Sequence, residues 1–144
     1  MAKVKFSVSG KNENPTKLIA KPRDFEMVVD EPENLGGTNE GPNPVEYILA
    51  GYAGCINVMG HIIAKEHGIE LNGLEVHVEG DLDPDKLFGK PTEARAGYQE
   101  IRLKIKPDTS ASQEQLQKWI DEVEARCPVN DNLANPTPIK VDLQ

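Results

Sequence analysis

The chain has 144 residues, a length at which one domain, 1–144, can bury roughly two-thirds of its extended surface around a single core. Its 24 acidic against 16 basic residues give a formal charge of −8, which repels phosphate backbones and anionic lipid and argues against nucleic acid or membrane as partners. Two cysteines, without a Cys-x-x-Cys or a Cys/His cluster, argue against a disulfide-dense secreted scaffold and against a metal site; Met1 to Phe6 show no secretory pattern, so a cytoplasmic location is expected.

Lys3 to Val8 alternate polar residues with Val4, Phe6 and Val8, the period of a strand with one buried face. Beyond the turn-rich Gly10–Pro15, the stretches Thr16–Ala20 and Phe25–Val29 predict two further strands of a meander. Asp30–Pro44 is rich in Pro, Gly, Asn and Glu and reads as a long exposed loop. At its end Asn43 is a good N-cap, Pro44 suits the first helical position, and Glu46 meets the positive end of the helix.

On that helix Ile48, Tyr52, Cys55, Met59 and Ile62 share one face. Ala50, Gly51, Ala53 and Gly54 lower helix propensity, which implies that another element packs very close here. The uncharged run Tyr47–Ala64 reaches about 18 residues, the lower limit for a membrane span. Interruption by Asn57, His61 and three glycines favours a helix buried in protein instead. Gly68 supplies the stop.

Glu75–Glu79 and Ile101–Ile105 alternate cleanly and predict a long antiparallel pair. Ser110 with Gln113 resembles a capping box before a helix whose stripe is Leu116, Ile120 and Val123. That helix ends near Cys127 because Pro128 follows, and Ile139–Leu143 predicts a last strand. The order β-β-β-α-β-β-α-β, with two main helices, is of the α+β class.

A thiol is nucleophilic as the thiolate, which needs a cation, a helix N-terminus or another positive potential. Cys55 lies about three turns into its helix, beyond the reach of the dipole, so a cation must come from elsewhere. Arg23, Arg95, Arg102, Arg126 or a lysine could supply it. Cys127, at the negative end of the second helix, is the weaker nucleophile despite the adjacent Arg126. The bland alternative is that both cysteines fill core, as free cysteines usually do. His61 falls on a different helix face from Cys55.

The stretch from Gly36 to Cys55, GGTNEGPNPVEYILAGYAGC, resembles the central-helix signature of the OsmC/Ohr family, named for osmotically inducible protein C and organic hydroperoxide resistance protein. The later CPVNDNL, Cys127 to Leu133, resembles that family's second cysteine motif. The resemblance implies an intertwined homodimer with buried central helices. It implies a thiol peroxidase in which Cys55 attacks a hydroperoxide and Cys127 resolves the sulfenic acid as a disulfide. No bound cofactor is implied; an external dithiol reductant protein resets the pair. It further implies that an arginine, for which Arg23 is the candidate, stabilises the thiolate and that Glu46 orients it. Tyr52, Ile56 and Met59 would then line a substrate pocket. The competing expectation is a non-catalytic homodimer that binds an apolar small molecule in the inter-subunit cleft.

Overall fold

The computed structural model describes every residue from Met1 to Gln144. In chain order it contains β1 (Ser9–Asn12), β2 (Leu18–Lys21), β3 (Met27–Val29), a short 3-10 turn (Glu33–Leu35), α1 (Pro44–Glu66), β4 (Gly73–Leu82), β5 (Tyr98–Asp108), α2 (Gln113–Arg126) and α3 (Pro128–Ala134). This is an α+β fold with antiparallel sheets and three helices. The chain forms two compact units, Met1–Ile48 and Leu49–Gln144.

In the first unit β1, β2 and β3 form an antiparallel meander in which Gly10 faces Ala20 and Ile19 faces Val28. Asn14 turns the β1–β2 hairpin by accepting from the backbone N–H groups of Thr16 and Lys17. The segment after β3 is more ordered than its composition suggests, because it is wound around one carboxylate. Asp30 is completely buried and accepts from the hydroxyls of Thr16 and Thr38 and from the backbone N–H groups of Glu31, Thr38 and Glu40. A buried charge persists only when its lone pairs are satisfied in this way. Gly37 and Gly41 are required by the winding, since a Cβ at either would strike the backbone of Glu31 or Val28.

Helix α1 begins where expected. Asn43 Oδ1 accepts from the Glu46 N–H and Glu46 Oε2 accepts from the Asn43 N–H, a reciprocal cap. It ends at Gly68, whose φ of 68° lets Ile69 N–H return to the Ala64 carbonyl.

In the second unit, β4 and β5 pair along their length, with Val76 opposite Ile105 and Val78 opposite Leu103. The apolar face packs on a core of Tyr52, Ile56, Ile63, Ala64, Ile69, Trp119, Val123 and Cys127. The Trp119 indole lies over Gly60 and donates to its carbonyl at 2.8 Å.

Five sequence expectations need correction. Lys3–Val8 and Ile139–Leu143 form no ladder; a strand needs a neighbour for its N–H and C=O groups, and neither segment pairs with an edge of the two sheets. Their apolar positions, including Phe6 and Val141, are exposed. The capping box of α2 is Ser112 with Gln115 rather than Ser110 with Gln113, because Thr109 Oγ1 accepts from the Ala111 N–H and delays the helix by two residues. Pro128 also does more than stop α2, since it opens the unforeseen α3.

The buried face of α1 is also rotated from the expected one. Tyr52, Ile56, Gly60, Ile63 and Ala64 are buried, while Ile48, Val58 and Ile62 are exposed and Gly51 and Gly54 face open space. The helix is long and apolar enough to cross a membrane by length and composition. Its buried stripe, however, is part of the core of the second unit.

Candidate active site

The two cysteines, 72 positions apart in sequence, meet. Cys127 Sγ lies 2.7 Å from Cys55 Sγ, and both thiols are free. Cys55 projects from the middle of α1 and is partly exposed, whereas Cys127 is completely buried. Of the two, Cys55 is the more exposed residue.

Cys127 occupies a corner. It is the last cap of α2, its N–H donating to Val123, and the N-cap of α3, its sulfur accepting from the Asn130 N–H at 3.4 Å. The sequence places this residue at the negative end of α2; the start of α3 adds amide donors that oppose that potential.

Burial pushes the Cys55 thiol above its ordinary value, the contact in which Cys55 shares its proton with the Cys127 sulfur adds to the rise, and the backbone N–H of Val129 pulls the other way. No side-chain cation contributes to the balance. Two of the four arginines are already committed. Arg126, next to Cys127 in sequence, is clamped by Glu66 and Glu122 at 2.6 Å each, and Arg102 is held by Glu79, Asp81 and Glu100.

Arg23 is different. It sits in the first unit at the first central position of the Pro22–Phe25 turn, with φ of 55°, a conformation that glycine, asparagine or aspartate adopts more easily. Its guanidinium lies 4.9 Å above the Phe25 ring and makes no ion pair. Glu46, in the same unit, uses Oε2 to cap α1.

Of the remaining predicted residues, Ile56 is completely buried, Met59 is half-buried and packs against the core. Tyr52 is only 6% exposed, and its hydroxyl donates to Asn130 Oδ1 at 2.7 Å. Asn130 was not foreseen. The signal available was its place three residues after Cys127, the position at which a cap meets a backbone donor.

Comparison with known proteins places these features in a family. Residues 37–142 match the family described as OsmC-like protein. A curated relative named hydroperoxide reductase from Mycoplasma pneumoniae is 24% identical over 140 residues, covering 96% of this chain and 94% of its own; one of the same name from Mycoplasma genitalium is 21% identical over the same extent. Among solved structures, an OsmC like protein from Mycoplasma pneumoniae superposes with a TM-score of 0.82 at 24% identity, covering 94% of this chain and 91% of that one. An organic hydroperoxide resistance protein from Elizabethkingia anophelis gives 0.67 at 18% identity, covering 93% and 91%.

Proposed function

The chain belongs to the OsmC-like protein family, and from that premise we propose that it is a two-cysteine hydroperoxide reductase. The observation that carries the reading is the pair of free thiols 2.7 Å apart, one partly exposed and one buried. Relatives named hydroperoxide reductase that align along nearly the whole chain support it.

The Cys55 thiolate attacks the distal oxygen of a hydroperoxide, the O–O bond breaks, and the alkoxide leaves and takes a proton to become the alcohol. Cys55 is now a sulfenic acid. The Cys127 thiolate attacks that sulfur and expels hydroxide, leaving water and a Cys55–Cys127 disulfide. A dithiol reductant protein then exchanges with the disulfide and restores both thiols. No bound cofactor takes part.

Raised by burial, the Cys55 thiol needs a cation to react at neutral pH. Arg23 is the candidate, because its guanidinium makes no ion pair and its backbone is held in a sparsely populated region, a feature that often accompanies function. Glu46 Oε1, left over from the helix cap, is the candidate partner that orients it. Tyr52 and Ile56 form the wall behind the thiol, and Met59 offers an apolar edge for the organic part of the peroxide.

The functional unit is a homodimer. Gly51 and Gly54 face open space, and Ile48, Val58 and Ile62 are exposed beside them, so the close-packing partner that these small residues call for is a second copy of α1. The terminal segments with their unpaired alternation support the same assembly. We place the protein in the cytoplasm and treat residues 1–144 as one working domain, since the family match runs across the boundary at Ile48.

The raised Cys55 thiol favours a second reading, a non-catalytic dimer that binds an apolar molecule in the inter-subunit cleft. One experiment separates the two. Reduced protein, Cys55→Ser and Cys127→Ser are each mixed with cumene hydroperoxide and with hydrogen peroxide, following peroxide loss and intact mass. The peroxidase reading expects a disulfide in the unmodified protein, a sulfenic or higher acid in Cys127→Ser and no reaction in Cys55→Ser. Consumption no faster than by a free thiol in all three sinks it and leaves the binding reading.

A further inference from the structure

One partly buried hydrogen bond beside the thiols has no part in the chemistry above. Tyr52 lies one turn before Cys55 on α1, and its hydroxyl reaches Asn130 Oδ1 at 2.7 Å. Asn130 is the third residue of α3. Its side-chain Nδ2 donates to the carbonyl of Glu124 in the last turn of α2 at 3.1 Å, and its backbone N–H points at Cys127 Sγ. A single asparagine is thus tied to the helix that carries Cys55, to the helix that ends at Cys127, and to the Cys127 sulfur itself.

These ties have a mechanical consequence. Cys127 is at a corner between two helices, and α3 is only seven residues long, too short to hold its direction by its own hydrogen bonds. What sets the corner against α1 is packing, the contacts of Val129 N–H and Cys127 with the Cys55 sulfur, and this link between side chains. Burial pushes the Tyr52 hydroxyl above its ordinary value, so it remains a proton donor throughout the neutral range, and an amide oxygen left without it would be a partly buried acceptor with no partner.

We propose that Tyr52 and Asn130 are positioning residues for resolution: their hydrogen bond holds the Cys127 corner on Cys55, so that Cys127 attacks an oxidised Cys55 sulfur before a second oxidant can. The inference rests on the two-cysteine reading, but the geometry it concerns is independent of peroxide. Any disulfide-forming oxidant tests it. With oxidised glutathione, the Cys55 thiolate attacks one sulfur and releases reduced glutathione, giving a Cys55–glutathione mixed disulfide. Cys127 then attacks the Cys55 sulfur and expels the second glutathione as thiolate.

The experiment compares Tyr52→Phe and Asn130→Ala with the unaltered protein, taking the two steps separately by quenched mass spectrometry with oxidised glutathione and, in a second arm, with cumene hydroperoxide. Trp119→Phe is the control, because it removes a different, buried hydrogen bond, to Gly60, and leaves the partners of the Tyr52–Asn130 link in place. Loss of one well-formed link should slow the second step about tenfold in both variants, while the first changes less than about twofold in Asn130→Ala, whose side chain is no part of the pocket wall. With peroxide the sulfinic fraction should rise, and Trp119→Phe should leave the ratio of the two rates unchanged. Unchanged resolution in either variant overturns the proposal, as does slowing of both steps in parallel in Asn130→Ala. If glutathione shows the split and peroxide gives no reaction in any protein, the positioning role stands and the peroxidase reading falls.

Discussion

Gly60→Ala tests whether the core of the second unit is organised by a close approach of Trp119 to α1. Alanine is the better helix former by about 1 kcal/mol, so on propensity alone the substitution stabilises. The structure opposes this. A Cβ at position 60 would lie 3.1 Å from Trp119 Cζ2 and 3.3 Å from Leu74 Cδ2, so the indole must retreat by a few tenths of an ångström. Overpacking of this kind costs about 1–3 kcal/mol, and the retreat stretches the indole bond to the Gly60 carbonyl, worth about 1 kcal/mol when intact. The net expectation is a loss of about 1–2 kcal/mol. Urea unfolding reads it directly, because Trp119 is the single tryptophan and is 2% exposed in the folded chain. Protein concentration is held fixed, since an associating protein gains stability with concentration. The same substitution in a Trp119→Phe background, followed by circular dichroism, should cost less than half as much, because the smaller ring leaves room for the methyl group. Gly60→Ala as stable as the unaltered protein, or an equal cost in both backgrounds, would refute the reasoning.

Three further outcomes follow from other parts of the chain. Burial pushes the Asp30 carboxyl up, but the hydroxyls of Thr38 and Thr16 and the backbone N–H groups of Glu31 and Glu40 outweigh it and hold the group well below the usual range. A depressed carboxyl stabilises the fold above its unfolded value of about 4 and loses that contribution as pH falls below it; Asp30→Asn should therefore lower the urea midpoint at pH 7 and flatten its decline between about pH 4 and 2, and an unchanged acid limb would count against the account. Arg23→Ala, made in Cys127→Ser so that only one thiol reports, should move the pH profile of iodoacetamide alkylation upward and slow the peroxide reaction about tenfold or more; superimposable profiles would transfer the activating role to another cation. Val58→Lys, at an exposed position on the open stripe of α1, should convert a mass of roughly twice 15.8 kDa to the single-chain value in light scattering, and an unchanged mass would move the dimer interface elsewhere.

The fold was most legible where one short-range rule dominates. The reciprocal cap of Asn43 and Glu46, the stop at Gly68 and the alternation in β4 and β5 each follow from a few adjacent residues. The terminal segments misled because alternation shows that a segment suits a sheet but not that it pairs, and neither segment joins an edge of the two sheets. The choice of Ser112 over Ser110 was illegible because both have glutamine three positions on. It is decided by Thr109, whose hydroxyl also donates to the Glu70 carbonyl at 2.7 Å, a contact 39 positions away. The order of the Asp30 segment was hidden for a related reason. Its Gly and Pro residues look like flexible loop, yet they permit a backbone wrapped closely enough to satisfy a buried carboxylate.

At the site, the two cysteines could be picked out and ranked, but their electrostatics depend on a residue whose role is double. Pro128 lacks the N–H needed to continue α2 and has the φ suited to the first position of a new helix, so one residue both ends α2 and opens α3. Cys127 thereby changes from a thiol facing a negative helix end to one that also receives an amide from the next helix. The same turn brings Val129 N–H to Cys55 and Asn130 to Tyr52, so a stretch of four residues supplies the second thiol, a donor to the first and the link that holds them together. Neither thiol receives a cation from these elements. The second unit thus brings the two sulfurs within 2.7 Å of each other while burial holds the Cys55 thiol above its ordinary value.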